Sequence, residues 1–188
     1  LNHPYRAVAL DIDGTLKEND AQIPESILQE IIALLEKGID VAIVTGRGDS
    51  VTKSFVDRIK RRVQNPDILN HLYIYRENGA FAYNIGTGEV YYHNLLSPES
   101  KKTIDSLLAS IPKDTETWIR DTSRTLLIKN LDERARILQE LRQKVEMENP
   151  RLEQKLKVVE SGQFIDILPE QTSKAKAIEH MASALGIS

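Results

Sequence analysis

The sequence contains no cysteine, which removes disulfides, thiolate zinc sites and cysteine nucleophiles together and suits a reducing compartment. It has no long hydrophobic run. The longest apolar stretches, such as residues 7–10 and 41–44, span about four residues against the roughly 20 that a membrane-spanning helix needs, so no membrane partner is expected. Neither sign of charge dominates: 25 Lys+Arg face 28 Asp+Glu, a net charge of −3. A dedicated nucleic-acid binder normally carries a basic excess, so no nucleic-acid partner is expected either. Glycine and proline are scarce, at 9 and 7 of 188 residues, and neither a collagenous chain nor low-complexity disorder fits. No charged segment followed by an apolar core opens the chain, so a cytoplasmic location is expected. The first residue is Leu1 rather than Met, which points to processing or trimming. What is left is a soluble globular protein whose length allows one domain, or one domain carrying a smaller insert.

Residues 7–12, 40–45 and 72–75 are short apolar runs rich in strand formers, and residues 24–37 and 50–63 place their apolar side chains at helical spacing between them. Strand, helix, strand, helix, strand with nearly continuous apolar strands predicts a parallel sheet covered on both faces. After Asn78-Gly79-Ala80 the pattern changes. Residues 81–95 read as a hairpin, 98–111 as a helix capped by Ser97, 117–120 and 124–128 as strands, 132–148 as an amphipathic helix, and 156–159 with 164–168 as a second hairpin. Residues 82–169 therefore read as an antiparallel α+β unit inserted between residues 1–81 and the returning segment 170–188. That last segment holds a helix over 173–185, closed by Gly186, and Gly186-Ile187-Ser188 is how a crossover to another buried strand would begin.

Three places carry chemistry. Asp11-Ile12-Asp13-Gly14-Thr15 follows the first strand, and ligands of open α/β sheets bind beyond the carboxyl ends of strands. Two carboxylates two residues apart can share a divalent cation or divide acid and base duties. The bland alternative is an exposed pair of aspartates in a turn. A calcium loop is excluded, because it needs a ligand at its fifth position and glycine at its sixth, where this chain has Thr15 and Leu16. Thr45-Gly46-Arg47-Gly48 closes the second strand in the equivalent place and offers a hydroxyl, backbone amides and a cation to an anion. Its likeness to a dinucleotide fingerprint fails at Val51, where the third glycine should stand. The embedded Arg47-Gly48-Asp49 is read as coincidence. Lys174 opens the last helix, where a cation opposes the helix dipole unless an anion is near. Lys176 is its rival, and helix physics alone does not choose between them.

Taken together, Asp11-Ile12-Asp13-Gly14-Thr15-Leu16, Val44-Thr45-Gly46-Arg47, Glu77-Asn78-Gly79-Ala80 and Thr172-Ser173-Lys174 resemble the haloacid dehalogenase (HAD) superfamily. More narrowly, they resemble its Cof-type phosphatases with a C2-type cap inserted after the third strand. The resemblance implies an α/β fold, a Rossmannoid core with a parallel sheet plus an inserted α+β cap. It also implies a Mg2+-dependent phosphomonoester hydrolase acting on a small phosphorylated metabolite, with a sugar phosphate favoured. Asp11 would be the nucleophile that forms an aspartyl phosphate and Asp13 the acid–base group. Thr45, the Gly46 amide and Lys174 would hold the phosphoryl oxygens, Arg47 and Asn78 would be substrate contacts, and Asp11 with the Asp13 carbonyl would bind Mg2+. One departure stands out. The family's fourth motif, a Gly-Asp pair followed by another Asp, would lie beyond the final helix and is absent, so the chain is expected to stop short of further metal ligands. The alternatives are a phosphoglycolate phosphatase, a sugar phosphomutase of the same superfamily, or a truncated non-catalytic domain. In the cap, Arg120, Arg124, Lys129, Tyr91, Tyr92 and His93 are read as surface groups rather than substrate contacts.

Overall fold

The computed structural model of the chain describes residues 5–18, 22–112 and 115–187. For Ser50 and residues 91–93 the backbone alone is described, so the side chains of Tyr91, Tyr92 and His93 lie outside the described set, as does Ser188 at the anticipated crossover. The chain divides into two compact units, Leu1–His93 with Ser173–Ser188, and Asn94–Thr172.

The first unit is built on a five-stranded sheet of order β1 (Ala7–Leu10), β2 (Asp40–Val44), β3 (Leu72–Arg76), β4 (Phe81–Asn84), β5 (Val90–His93). β1, β2 and β3 are parallel, β4 runs antiparallel to β3, and β5 runs antiparallel to β4. The period-2 alternation of β2 explains why its apolar run is continuous. Val41 and Ile43 join one core with Leu28, Ile31 and Leu35 of α1 (Glu25–Glu36) and Phe55, Val56 and Ile59 of α2 (Asp49–Lys60). Ala42 and Val44 face the opposite way, joining Tyr75, Ala177 and Met181, the last two from α5 (Lys174–Ala184). Both faces of the central strands are thus covered by helices, as the sequence pattern predicts. β1 is only half-buried, and Ala9 is exposed, because it lies at the edge of the described sheet.

The second unit has its own antiparallel sheet of order β6 (Glu116–Ile119), β7 (Arg124–Leu127), β9 (Phe164–Pro169), β8 (Leu156–Ser161). Leu126, Val158, Ile165 and Ile167 on one face of that sheet share a core with Ile104 of α3 (Pro98–Leu108) and Ile137, Leu138, Leu141 and Val145 of α4 (Leu131–Glu148). Ser97 and Asn130 cap these two helices through their side-chain oxygens, which accept the N–H groups of Ser100 and Glu133.

The structure corrects two sequence expectations. The first concerns boundaries: the sequence assigns residues 82–93 to the insert, but β4 pairs with β3 through Tyr73↔Asn84 and Arg76↔Phe81. The hairpin therefore extends the first unit's sheet, and the units divide at 93/94 and 172/173 rather than at 81/82 and 169/170. Hairpin chemistry is local, whereas the choice of sheet edge is a long-range pairing that turn residues do not encode. The second concerns Arg124, read as a surface group. Its side chain is buried, paired with Asp105 at 3.0 Å and donating to the Arg120 carbonyl at 2.6 Å, so it holds the β6–β7 turn together. Arg120 is partly exposed and Lys129 exposed, in keeping with the surface reading.

Candidate active site

At the end of β1 the chain turns through Ile12-Asp13-Gly14. The Ile12 carbonyl accepts the N–H groups of both Leu16 and Lys17, at 3.0 and 3.1 Å, and Gly14 takes φ +75°. A side chain at Gly14 would be strained in that left-handed conformation. Ile12 itself is fully buried and anchors the turn, so Asp11 and Asp13 on either side of it are held while remaining about a third exposed.

Each carboxylate meets a cation from a distant part of the chain. Lys174 Nζ donates to Asp11 Oδ2, and the Ile12 N–H donates to Asp11 Oδ1 at 2.8 Å. Arg47 Nε and Nη2 donate to Asp13 Oδ2 and Oδ1 at 2.7 and 3.0 Å, a two-pronged pair. Burial pushes the Asp13 pKa up, but the hydrogen bonds and charge of Arg47, helped by Lys17, outweigh it and hold the carboxyl below its ordinary range. Lys17 is the residue that sequence reasoning missed. Its Nζ lies 3.5 Å from Asp13 Oδ1 and its side chain is only 11% exposed. The signal was a lysine four positions after Asp13 in a turn that brings the two together.

The second loop leaves β2 at Thr45, whose N–H donates to the Tyr75 carbonyl at 2.8 Å. The loop is stitched to the turn after β3: Asn78 N–H donates to the Thr45 carbonyl at 2.9 Å and Glu77 N–H to the Arg47 carbonyl at 3.0 Å. Both donors sit in left-handed backbone, φ 54° at Glu77 and 58° at Asn78. A side chain at Gly46 would come within 3.1 Å of Asn78 Oδ1, so the glycine permits this close approach. Asn78, expected as a substrate contact, has a structural part here in holding the loop. Thr45 is fully buried, and its hydroxyl oxygen accepts the Arg47 N–H at 3.1 Å.

The third contribution comes from α5. Ser173 caps it, accepting the Lys176 N–H at 3.1 Å. Lys174 then reaches Asp11, while Lys176 pairs with Glu179 at 2.7 Å on the exposed side. The two lysines that helix physics left equal are separated by this geometry. Gly79, at φ +86°, lets the turn after β3 lie directly against α5, where an added Cβ would stand 2.7 Å from Ala177 Cβ and 2.9 Å from the Ser173 carbonyl oxygen. The Tyr75 hydroxyl meets His180 Nδ1 at 3.2 Å and fastens the same helix one turn further on.

The site's donor set bears on the Mg2+ that the resemblance implies. Asp11 and Asp13 present hard oxygen donors, and Mg2+ is commonly held by one or two carboxylates together with waters and substrate phosphate oxygens. The residues fit in kind. They are few, since no group of three acidic or histidine side chains forms a metal cluster among the described residues.

The chain matches the family described as haloacid dehalogenase-like hydrolase over residues 8–161. A haloacid dehalogenase-like hydrolase from Bacteroides thetaiotaomicron superposes with a TM-score of 0.72 at 16% identity, covering 98% of this chain and 78% of that one. A HAD subclass IIB sugar phosphatase superposes at 0.69 with 17% identity, covering 97% and 77%. A Haemophilus influenzae protein provisionally named a phosphatase is 32% identical over 59 residues, a match that spans 31% of this chain and 22% of the relative. With the family match running from β1 into β8, and the same fold in those solved structures, the chain belongs to the haloacid dehalogenase-like hydrolases of the Cof type.

Proposed function

We propose that the chain carries the phosphoryl-transfer machinery of a phosphomonoester hydrolase. The observation that carries this reading is the pairing of Asp11 with Lys174, residues 163 apart in sequence, at the end of β1. A lysine on a carboxylate at that place can neutralise an incoming phosphoryl group while leaving the carboxylate positioned to attack.

In this reading one Asp11 carboxylate oxygen forms a bond to phosphorus as the bond from phosphorus to the leaving oxygen breaks. Asp13, released from its ion pair with Arg47 and protonated for this step, delivers its proton to the leaving oxygen. Water then attacks the aspartyl phosphate, Asp13 takes the proton from that water, and the bond between Asp11 and phosphorus breaks, which releases phosphate and restores both aspartates. Thr45 and the Gly46 amide hold phosphoryl oxygens through the transfer. The Asp11 carboxylate and the Asp13 main-chain carbonyl would hold Mg2+, which would supply positive charge against the phosphoryl oxygens. The substrate is a small phosphorylated metabolite. A sugar phosphate is favoured by the likeness in fold to a sugar phosphatase, and residues 94–172 act as the cap.

Asp11→Asn tests the nucleophile. The amide is nearly isosteric, so the fold is expected to persist by circular dichroism, while hydrolysis of 4-nitrophenyl phosphate and of hexose phosphates falls by about three orders of magnitude or more. Activity within tenfold of the parent would remove Asp11 from this role.

A further inference from the structure

Arg47 stands between Gly46 and Gly48 and folds back from the second loop onto the first. Its guanidinium occupies both oxygens of Asp13, at 2.7 and 3.0 Å, and its own N–H donates to the hydroxyl oxygen of Thr45, which is fully buried. One residue therefore contacts two groups to which the proposed reaction assigns work, Asp13 through its guanidinium and Thr45 through its main-chain N–H. Asp13 must reach a leaving oxygen, yet each of its oxygens is occupied by a guanidinium hydrogen bond. A guanidinium makes the same two-pronged contact with a phosphoryl dianion as with a carboxylate, and the dianion carries the greater charge. Glycine on both sides gives the Arg47 peptide more backbone freedom than any other flanking pair would.

We propose that Asp13 and the substrate's phosphoryl group compete for the Arg47 guanidinium. Paired as in the structure, Arg47 withholds Asp13. A phosphoryl dianion at the Thr45–Gly46 loop takes the guanidinium over, which frees Asp13 to carry the proton that goes to the leaving oxygen. Lys17, 3.5 Å from Asp13 Oδ1, keeps the freed carboxylate in place. Arg47 is thus a positioning residue for Asp13 and a charge-responsive partner of the substrate, so that Asp13 is released only when a phosphoryl group is present. This inference rests on the phosphoryl-transfer reading above.

The test is a cycle of variants of the 188-residue chain, titrated with inorganic phosphate in a calorimeter, with no turnover required. Asp13→Asn removes the competitor, and phosphate is expected to bind about tenfold tighter. Arg47→Ala is expected to bind about tenfold weaker than the parent, with Arg47→Lys between the two because it keeps the charge and loses the fork. In the Arg47→Ala background, Asp13→Asn should bring no gain, since no guanidinium is left to release. An equal gain in both backgrounds would mean that Asp13 merely repels the anion, and no gain in either would mean no competition. Both results overturn the proposal while leaving the phosphatase reading intact. If the parent chain binds no phosphate, the Thr45–Gly46 phosphoryl site itself falls, and the competition falls with it. Asp13→Ala repeats the measurement should the asparagine variant fold poorly.

Discussion

Lys174 shows how a residue that is unfavourable in isolation becomes intelligible in place. In the first turn of a helix a cation opposes the dipole by about 0.3–1 kcal/mol, and the acidic residues that usually occupy such a turn are missing from the first turn of α5. Asp11 supplies the missing charge from the end of β1. Lys157 on β8 is a different case. Burial lowers its pKa and the charge of Glu170 opposes that shift only in part. A lysine whose folded pKa lies below its unfolded value costs stability at every pH below the folded pKa, and the cost is relieved as pH rises through the window up to the unfolded value near 10.5. Lys157→Met is therefore expected to stabilise the chain at pH 7, by about 0.5 kcal/mol once solvent screening is allowed for. Urea unfolding at pH 7 and at pH 11 checks this: the gain should shrink at the higher pH, and a gain independent of pH would assign it to packing.

Among the elements, the docking of α5 decides whether Lys174 reaches Asp11. The helix packs Ala177 and Met181 on the sheet beside Val44 and Tyr75, and its first turn lies against the Asn78-Gly79 turn with no room for a Cβ at Gly79. Gly79→Ala combines a left-handed backbone with a clash against backbone and methyl groups that cannot yield, and is expected to destabilise by about 2–3 kcal/mol. Gly46→Ala provides the control. Its Cβ would meet only the Asn78 side chain, at 3.1 Å, and a cost under about 1 kcal/mol is expected because that side chain can move. Equal urea midpoints for the two variants would show that the close approach to α5 does not matter. Much of this scale was legible in the sequence. Strands followed directly by Asp11 and Thr45, and a serine cap before Lys174, are local patterns with local causes. The pairing of Arg47 with Asp13, 34 residues apart, and the placement of the β4–β5 hairpin depend on which loops and edges meet, and no spacing in the chain encodes that.

For the molecule as a whole, the division into two units follows from separate apolar clusters on two separate sheets, one on each face of the first and one on the second. The second unit is continuous, from Asn94 to Thr172, whereas the first is assembled from both ends of the chain. The ends of the second unit are tied: Asn94 Nδ2 donates to Thr172 Oγ1 at 2.8 Å, and Gln154 ties the next residues by donating to the Leu95 carbonyl at 2.7 Å and accepting the Ser97 N–H at 2.9 Å. A segment whose ends meet can be inserted at one point of a host without distorting either part. At about 80 residues it is small, but domains of that size fold alone when their core is well filled. Its core draws on both helices and three of its four strands, with Ile104, Leu126, Ile137, Leu141, Ile165 and Ile167 fully buried. Residues 94–172 expressed alone are therefore expected to unfold cooperatively, with helical and sheet signals lost in one transition measured by circular dichroism. Residues 1–93 alone lack α5, and with it the helix that covers Ala42, Val44 and Tyr75; they are expected to show no such transition. A sloping, non-cooperative melt of 94–172 would mean that its core is completed by the first unit, and the insert would then be an extension of that unit rather than a domain.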